Sequence, residues 1–106
     1  MELLRLEKLA QTAKHFDLEL NINQLWAFIM VCRNEGISSS ELMQQTGLTK
    51  ATASRALRLL ADKVDPHRDG YHMIELRHDP KDYRVRRAYL TTKGLEVRSA
   101  LEQAMQ

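Results

Sequence analysis

The stretch from Ser38 to Lys63, SSSELMQQTGLTKATASRALRLLADK, leaves the chain around it few options. Ser38 with Glu41 three residues on makes a capping box ahead of Leu42 and Met43, so a helix starts there. Thr46 and Gly47 end it, since glycine accepts the left-handed conformation that closes a helix. Thr49 caps the next helix, whose Ala53, Ala56, Leu57 and Leu60 lie within about a third of its circumference at about 100° per residue. Two helices joined by a short turn containing glycine form a helix-turn-helix. Each buries one side only, so the flanking segments must supply the core behind them.

The flanks fit that need. Leu3, Leu6, Leu9, Ala10, Ala13 and Phe16 recur at helical spacing, which makes roughly the first 16 residues an amphipathic helix. Asn21 is an N-cap for a second helix, Ile22 to Glu35, ending at Gly36. Its middle, LWAFIMVC, is apolar nearly all round and is expected to be buried on more than one side, with Trp26 in the core. DPHRDG is a loop by its Pro, Gly and Asp content. YHMIELRH then alternates with Ile74 and Leu76 on one face, DPKD is a turn, and VRRAYL is a second strand, giving a β-hairpin. TTKGLEVRSALEQAMQ closes the chain as a helix with Leu95, Ala100, Leu101 and Met105 available for burial. The expected fold is mainly α with a small β-hairpin wing (α+β), a winged helix-turn-helix. At 106 residues and 43% hydrophobic it fills one domain, residues 1–106. Within it, 38–63 is the helix-turn-helix and 70–90 the wing. The helices in 1–20 and 91–106 carry leftover apolar stripes and are expected to pair two copies into a two-fold homodimer.

Several classes of function have no support in these residues. There is no phosphate-binding glycine loop, nucleophile elbow or metal-ligand helix motif, so no enzyme and no cofactor is expected. The single cysteine, Cys32, sits in an apolar helix and reads as a core residue rather than a redox sensor. His67, His72 and His78 do not suggest a metal site, because six strand residues hold the last two about 20 Å apart. The longest apolar run, Leu25 to Cys32, is far short of the roughly 20 residues of a membrane span, and MELLRLEK lacks a signal-peptide apolar region. A cytoplasmic protein without membrane contact is expected.

Charge is where the function shows. Leu48 to Lys63 holds four basic residues and one acidic, Asp79 to Leu90 four and two, and no other part of the chain is net positive. These are the second helix of the helix-turn-helix and the wing, which this architecture presents to the same side, so double-stranded DNA is the expected partner. A helix fits the major groove, and the residues that reach base edges lie near its N-terminus. Thr49, Lys50, Thr52, Ser54 and Arg55 are there, with Ser39 on the preceding helix beside them. Arg55 can donate two parallel hydrogen bonds to guanine, Ser54 and Thr52 can pair with bases or phosphates, and Arg58, a turn later, suits the backbone. Thr49 also caps its helix. In the wing, Arg84 suits the narrow minor groove, with Asp82 to orient it. Arg87, on the outer face, suits a phosphate. Arg86 shares the inward face with Ala88 and Leu90, its stem packed along the wing base and its head reaching out.

NINQLWAFIMV, SSSELMQQTGLTKATASRALRLLADK and HDPKDYRVRRAYLTTKG resemble the core of the multiple-antibiotic-resistance-regulator (MarR) family of bacterial transcription factors, over about Asn21 to Gly94. The wing is the most specific part, since the family reads approximately Asp-Pro-x-Asp-Arg-Arg, five residues, Leu-Thr-x-x-Gly. Asp79, Pro80, Asp82, Arg84, Leu90, Thr91 and Gly94 fall on that pattern. Tyr83 departs from it where the first wing arginine is usual, and Arg86 where an apolar residue is more frequent. The resemblance implies a homodimer with one helix per subunit in the major groove and one wing near the minor groove. The chain ends soon after Gly94, so the longer C-terminal helices of the family and the small-molecule effector pocket beside them are expected to be missing. The function expected is a sequence-specific transcriptional regulator, a homodimeric repressor reading a palindromic operator. The alternative is a winged-helix adaptor in plasmid or phage segregation or replication, which binds repeated sites and recruits a protein partner.

Overall fold

Short-range hydrogen bonds delimit the helices in a computed structural model of the chain, which describes residues 2–106. Helix α1 runs Glu2–His15 and α2 Ile22–Arg33. Asn21 caps α2, its side chain accepting from the Gln24 amide at 2.8 Å while the Gln24 side chain accepts from the Asn21 amide at 2.9 Å. Strand β1 is Ile37–Ser38 and helix α3 Ser39–Thr46, opened by the Ser38 and Glu41 capping box. Gly47, at φ 76°, closes α3 with its N–H on the Met43 carbonyl, a conformation other residues resist. Helix α4 is Lys50–Leu60, capped by Thr49. Strands β2 (Lys63–Asp65), β3 (Arg68–Asp69), β4 (Ile74–His78) and β5 (Arg86–Leu90) follow, and α5 is Thr92–Ala104.

The winged helix-turn-helix expected from the sequence is the fold observed. Ala53, Ala56, Leu57 and Leu60 of α4 are all buried, packed with Phe28 and Val31 of α2, Leu42 of α3 and Val97 of α5. Truncating a side chain as enclosed as Leu60 in such a core costs about 2–5 kcal/mol. β4 and β5 pair antiparallel, and β5 also pairs with β1, so the wing is anchored to the residues that open α3. Gly94 brings α5 against the wing base: a Cβ there would lie 2.0 Å from the Met73 carbonyl oxygen.

Some expectations need correction. Helix α2 stops at Arg33 and not Glu35, because the chain turns early through Asn34 to form β1, a strand with no sequence signal of its own. DPHRDG is not a plain loop, since its flanks pair as the small hairpin β2–β3. The segment Tyr71 to Met73 precedes β4 and donates its backbone N–H groups to the Leu59, Ala61 and Leu60 carbonyls at the end of α4. Trp26 is 39% exposed rather than in the core, and Ile29 beside it is also exposed. The second apolar side of α2 faces an open cleft. Leu95 and Met105 are exposed as well, while Val97 and Ala104 take the buried positions of α5.

Candidate nucleic-acid interface

The caps that shape α4 also set its exposed end. Thr49 Oγ1 accepts from the Thr52 amide at 3.2 Å and donates to Thr52 Oγ1 at 3.0 Å, so its own proton is committed within the protein. Thr52 keeps its hydroxyl proton and is half-buried, as is Ser54. At about 100° per residue, Arg55 and Arg58 lie opposite the buried Ala53, Ala56, Leu57 and Leu60, while Lys50 and Ser54 flank the buried stripe on the Leu57 side. Lys50, Arg55 and Arg58 are exposed. None of the three has a carboxylate within ion-pair distance among the described residues. Ser39, half-buried at the start of α3, follows Ser38, whose hydroxyl accepts from the Glu41 amide.

The wing is organised otherwise. Register sets Ile74, Leu76 and His78 across from Leu90, Ala88 and Arg86 on one face, and Glu75 and Arg77 across from Tyr89 and Arg87 on the other. Ala88 and Ile74 seal the core, and Arg86, farther out on the same face, is exposed. At the tip, Arg84 donates from Nε to Asp82 Oδ1 at 3.2 Å and from Nη2 to Oδ2 at 3.4 Å, yet its side chain is 91% exposed. Asp82 holds one edge of the guanidinium and the rest points outward.

Arg87 is tied inward. Its Nε donates to Asp79 Oδ2 at 2.7 Å, and its Nη1 to the Gly36 carbonyl at 2.9 Å and to Glu41 Oε1 at 2.8 Å. A guanidinium so engaged has given its Nε and Nη1 to the protein, which leaves only Nη2 for the phosphate contact expected of it. The outer face of β5 at this position is covered by α3 and the turn before it, which strand alternation could not reveal. Arg87 instead ties the wing to the first turn of the helix-turn-helix. Glu41 serves both sides, since the same Oε1 accepts the Ser38 amide at 2.9 Å. The Ser38 backbone bond, with help from Arg87, holds the Glu41 carboxyl below its ordinary range. Asp79 is likewise lowered, first by Arg87. Sequence reasoning assigned neither carboxylate to this tie, and no local spacing marks it.

Away from this surface, α1, α2 and α5 border an open cleft of about 970 Å³ lined mainly by apolar side chains, among them Leu6, Leu9, Leu25, Ile29 and Met105. Cys32 and Arg98 lie at its wall. Burial pushes the Cys32 thiol up to about 11, so it is held as a neutral thiol. Among the described residues no cluster of His, Cys, Asp and Glu is suited to a metal ion, and no helix is long and apolar enough to cross a membrane.

Residues 17–63, from the approach to α2 through the end of α4, match the profile of the MarR family. Solved structures share the fold over nearly the whole chain. S. aureus MepR, solved in complex with DNA, superposes with a TM-score of 0.75 at 21% identity, covering 92% of this chain and 73% of that one. A MarR transcriptional regulator from Methanosarcina mazei gives 0.72 at 21%, over 92% and 63%. A MarR protein from Peptoclostridium difficile gives 0.70 at 25%, over 95% and 61%. The chain thus spans less than two thirds of the length of the last two. No curated protein sequence matches it.

Proposed function

We propose that the chain is a MarR-family winged-helix protein and a DNA-binding transcriptional regulator, a reading supported by the match of residues 17–63 to that family and by the fold shared with its solved structures. Helix α4 occupies the major groove and the wing tip meets the adjacent minor groove. One observation carries the reading: Lys50, Arg55 and Arg58 are all exposed on α4 with no carboxylate partner among the described residues. Three unneutralised cations on one short helix raise the local potential and favour a polyanion. Arg55 is the base-reading residue, with Thr52 and Ser54 beside it. Lys50 and Arg58 meet phosphates, and Ser39 lies at the flanking backbone. Arg84 is aimed into the minor groove by Asp82, and Arg86 supplies charge beside it.

The active species is a homodimer formed through the cleft side of α1, α2 and α5, where Leu3 and Leu6 stay exposed and the lining is apolar. Leaving such a face in water forgoes roughly 25 cal/mol for each Å² a second copy would cover. A two-fold dimer reads a palindrome, which fits a repressor on an operator. Selection of bound sequences from random duplex DNA tests the whole reading. A single palindrome supports an operator, an array of repeats supports a segregation or replication adaptor, and no salt-dependent binding at all refutes DNA recognition. Sedimentation at tens of micromolar checks the dimer, and a strict monomer there removes the basis for a palindrome.

A further inference from the structure

Tyr83 is the one aromatic side chain at the wing tip, and it is held there in a way its position in a turn does not require. Its ring stacks on His78 with centroids 3.9 Å apart and planes 8° from parallel. The His78 Nδ1–H donates to the Tyr83 carbonyl at 2.7 Å. The loop carrying it is closed by the Asp79 amide on the Val85 carbonyl at 2.8 Å and the Val85 amide on the Asp82 carbonyl at 2.9 Å. Despite this Tyr83 remains 74% exposed, next to the exposed Arg84. An exposed aromatic ring costs solvation and is ordinarily left mobile. Here backbone and ring are both immobilised before any ligand arrives, which lowers the entropy lost on binding.

Resting on the DNA-binding reading above, we propose that Tyr83 is a second contact of the wing with DNA, directed at the sugar-phosphate backbone through its hydroxyl and ring edge. The stack decides which part of DNA it meets. A ring that wedges between base pairs needs both faces free, and His78 covers one. The hydroxyl and the ring edge remain, and a phenol O–H is a donor to phosphate oxygen. Such a contact is neutral, so it adds affinity without releasing a counterion. It differs in that respect from Arg84, one residue away, and gives the tip one charged and one uncharged handle.

The experiment measures affinity across a salt series for wild type, Tyr83→Phe, Tyr83→Arg and Arg58→Ala, on the duplex the protein selects from a random pool and on an unselected duplex. Tyr83→Phe keeps the ring and its stack, so folding is not at issue. Losing a hydrogen bond to a phosphate is expected to weaken binding roughly 5-fold at every salt concentration and equally on both duplexes, with the salt slope unchanged. Tyr83→Arg is expected to steepen the slope by about one unit, because it places a counterion-releasing charge at the same spot. Tyr83→Phe binding as wild type at all salt concentrations overturns the proposal, as does a loss confined to the selected duplex, which would mean base reading. Those results leave the DNA-binding reading intact as long as wild type binds and Arg58→Ala lowers the slope. A wild type without salt-dependent affinity removes both.

Discussion

Helix α4 and the wing carry similar positive charge in the sequence and hold it in opposite ways. On α4 the cations are exposed and unpaired among the described residues. In the wing most are matched: Arg84 to Asp82, Arg77 to Glu75 with its guanidinium 4.4 Å over the Tyr89 ring, and Arg87 to Asp79 and Glu41. A free cation is ready to exchange counterions with a polyanion. A matched one has given part of its donors to the protein, Nε and Nη1 at Arg87 and only the edge facing Asp82 at Arg84, and so also sets geometry. The helix therefore offers unpaired charge, while the wing offers a shaped tip on which part of the charge is paired. Counting lysines and arginines along the chain treats the two alike, and their acceptors separate them.

The sharpest way to break this contrast is at Arg55. Replacing it with alanine is expected to cost roughly 1–3 kcal/mol on the selected duplex and to relax base choice at one position per half-site, with a smaller loss on unselected DNA. Equal losses on both would demote Arg55 to a phosphate contact. Next comes Arg58→Ala against Arg87→Ala in a salt titration. The first is expected to lower the salt slope by about one unit, the second to leave it unchanged while lowering the melting temperature, because Arg87 ties β5 to α3 rather than to DNA. A slope that falls with Arg87→Ala would return that residue to the interface. Arg84→Ala is expected to weaken binding most on duplexes with A·T-rich flanks, where the minor groove is narrow. The same loss on G·C-rich flanks would show that the wing tip contributes charge alone.

The smallest effect is expected from acid. Asp79 and Glu41 have folded pKa values below their unfolded ones, so the stabilisation they bring is full above the ordinary carboxylate range near pH 4 and fades as pH falls through the lowered values. The stability gap between wild type and Arg87→Ala is therefore expected to be widest near neutrality and to narrow below about pH 4. Thermal melts of both proteins from pH 7 to pH 3 check this, and a gap independent of pH would mean that Arg87 acts through packing.

What could be read from the chain alone is what is decided within a few residues. Asn21, Ser38 with Glu41, and Thr49 each cap a helix through an atom three residues away, and Gly47 ends one by its own φ. The buried stripe of α4 follows from periodicity, as does the opposition of Arg86 and Arg87 across β5. The Asp82 carboxylate reaches Arg84 from two residues away, so that pair too lay within local reach. Tertiary structure alone decided the rest. Arg87 meets Gly36 and Glu41 across 51 and 46 residues, and β1 exists only because β5 passes beside it. Trp26 and Ile29 are as apolar as the neighbours they share a helix with, and nothing in their spacing tells that both stay exposed, Ile29 at the cleft, while Ala27, Phe28 and Met30 are buried. Periodicity gives the faces of an element, but what lies against each face depends on segments distant in sequence, and at Arg87 that difference turns an outer-face cation into a tie between β5 and α3.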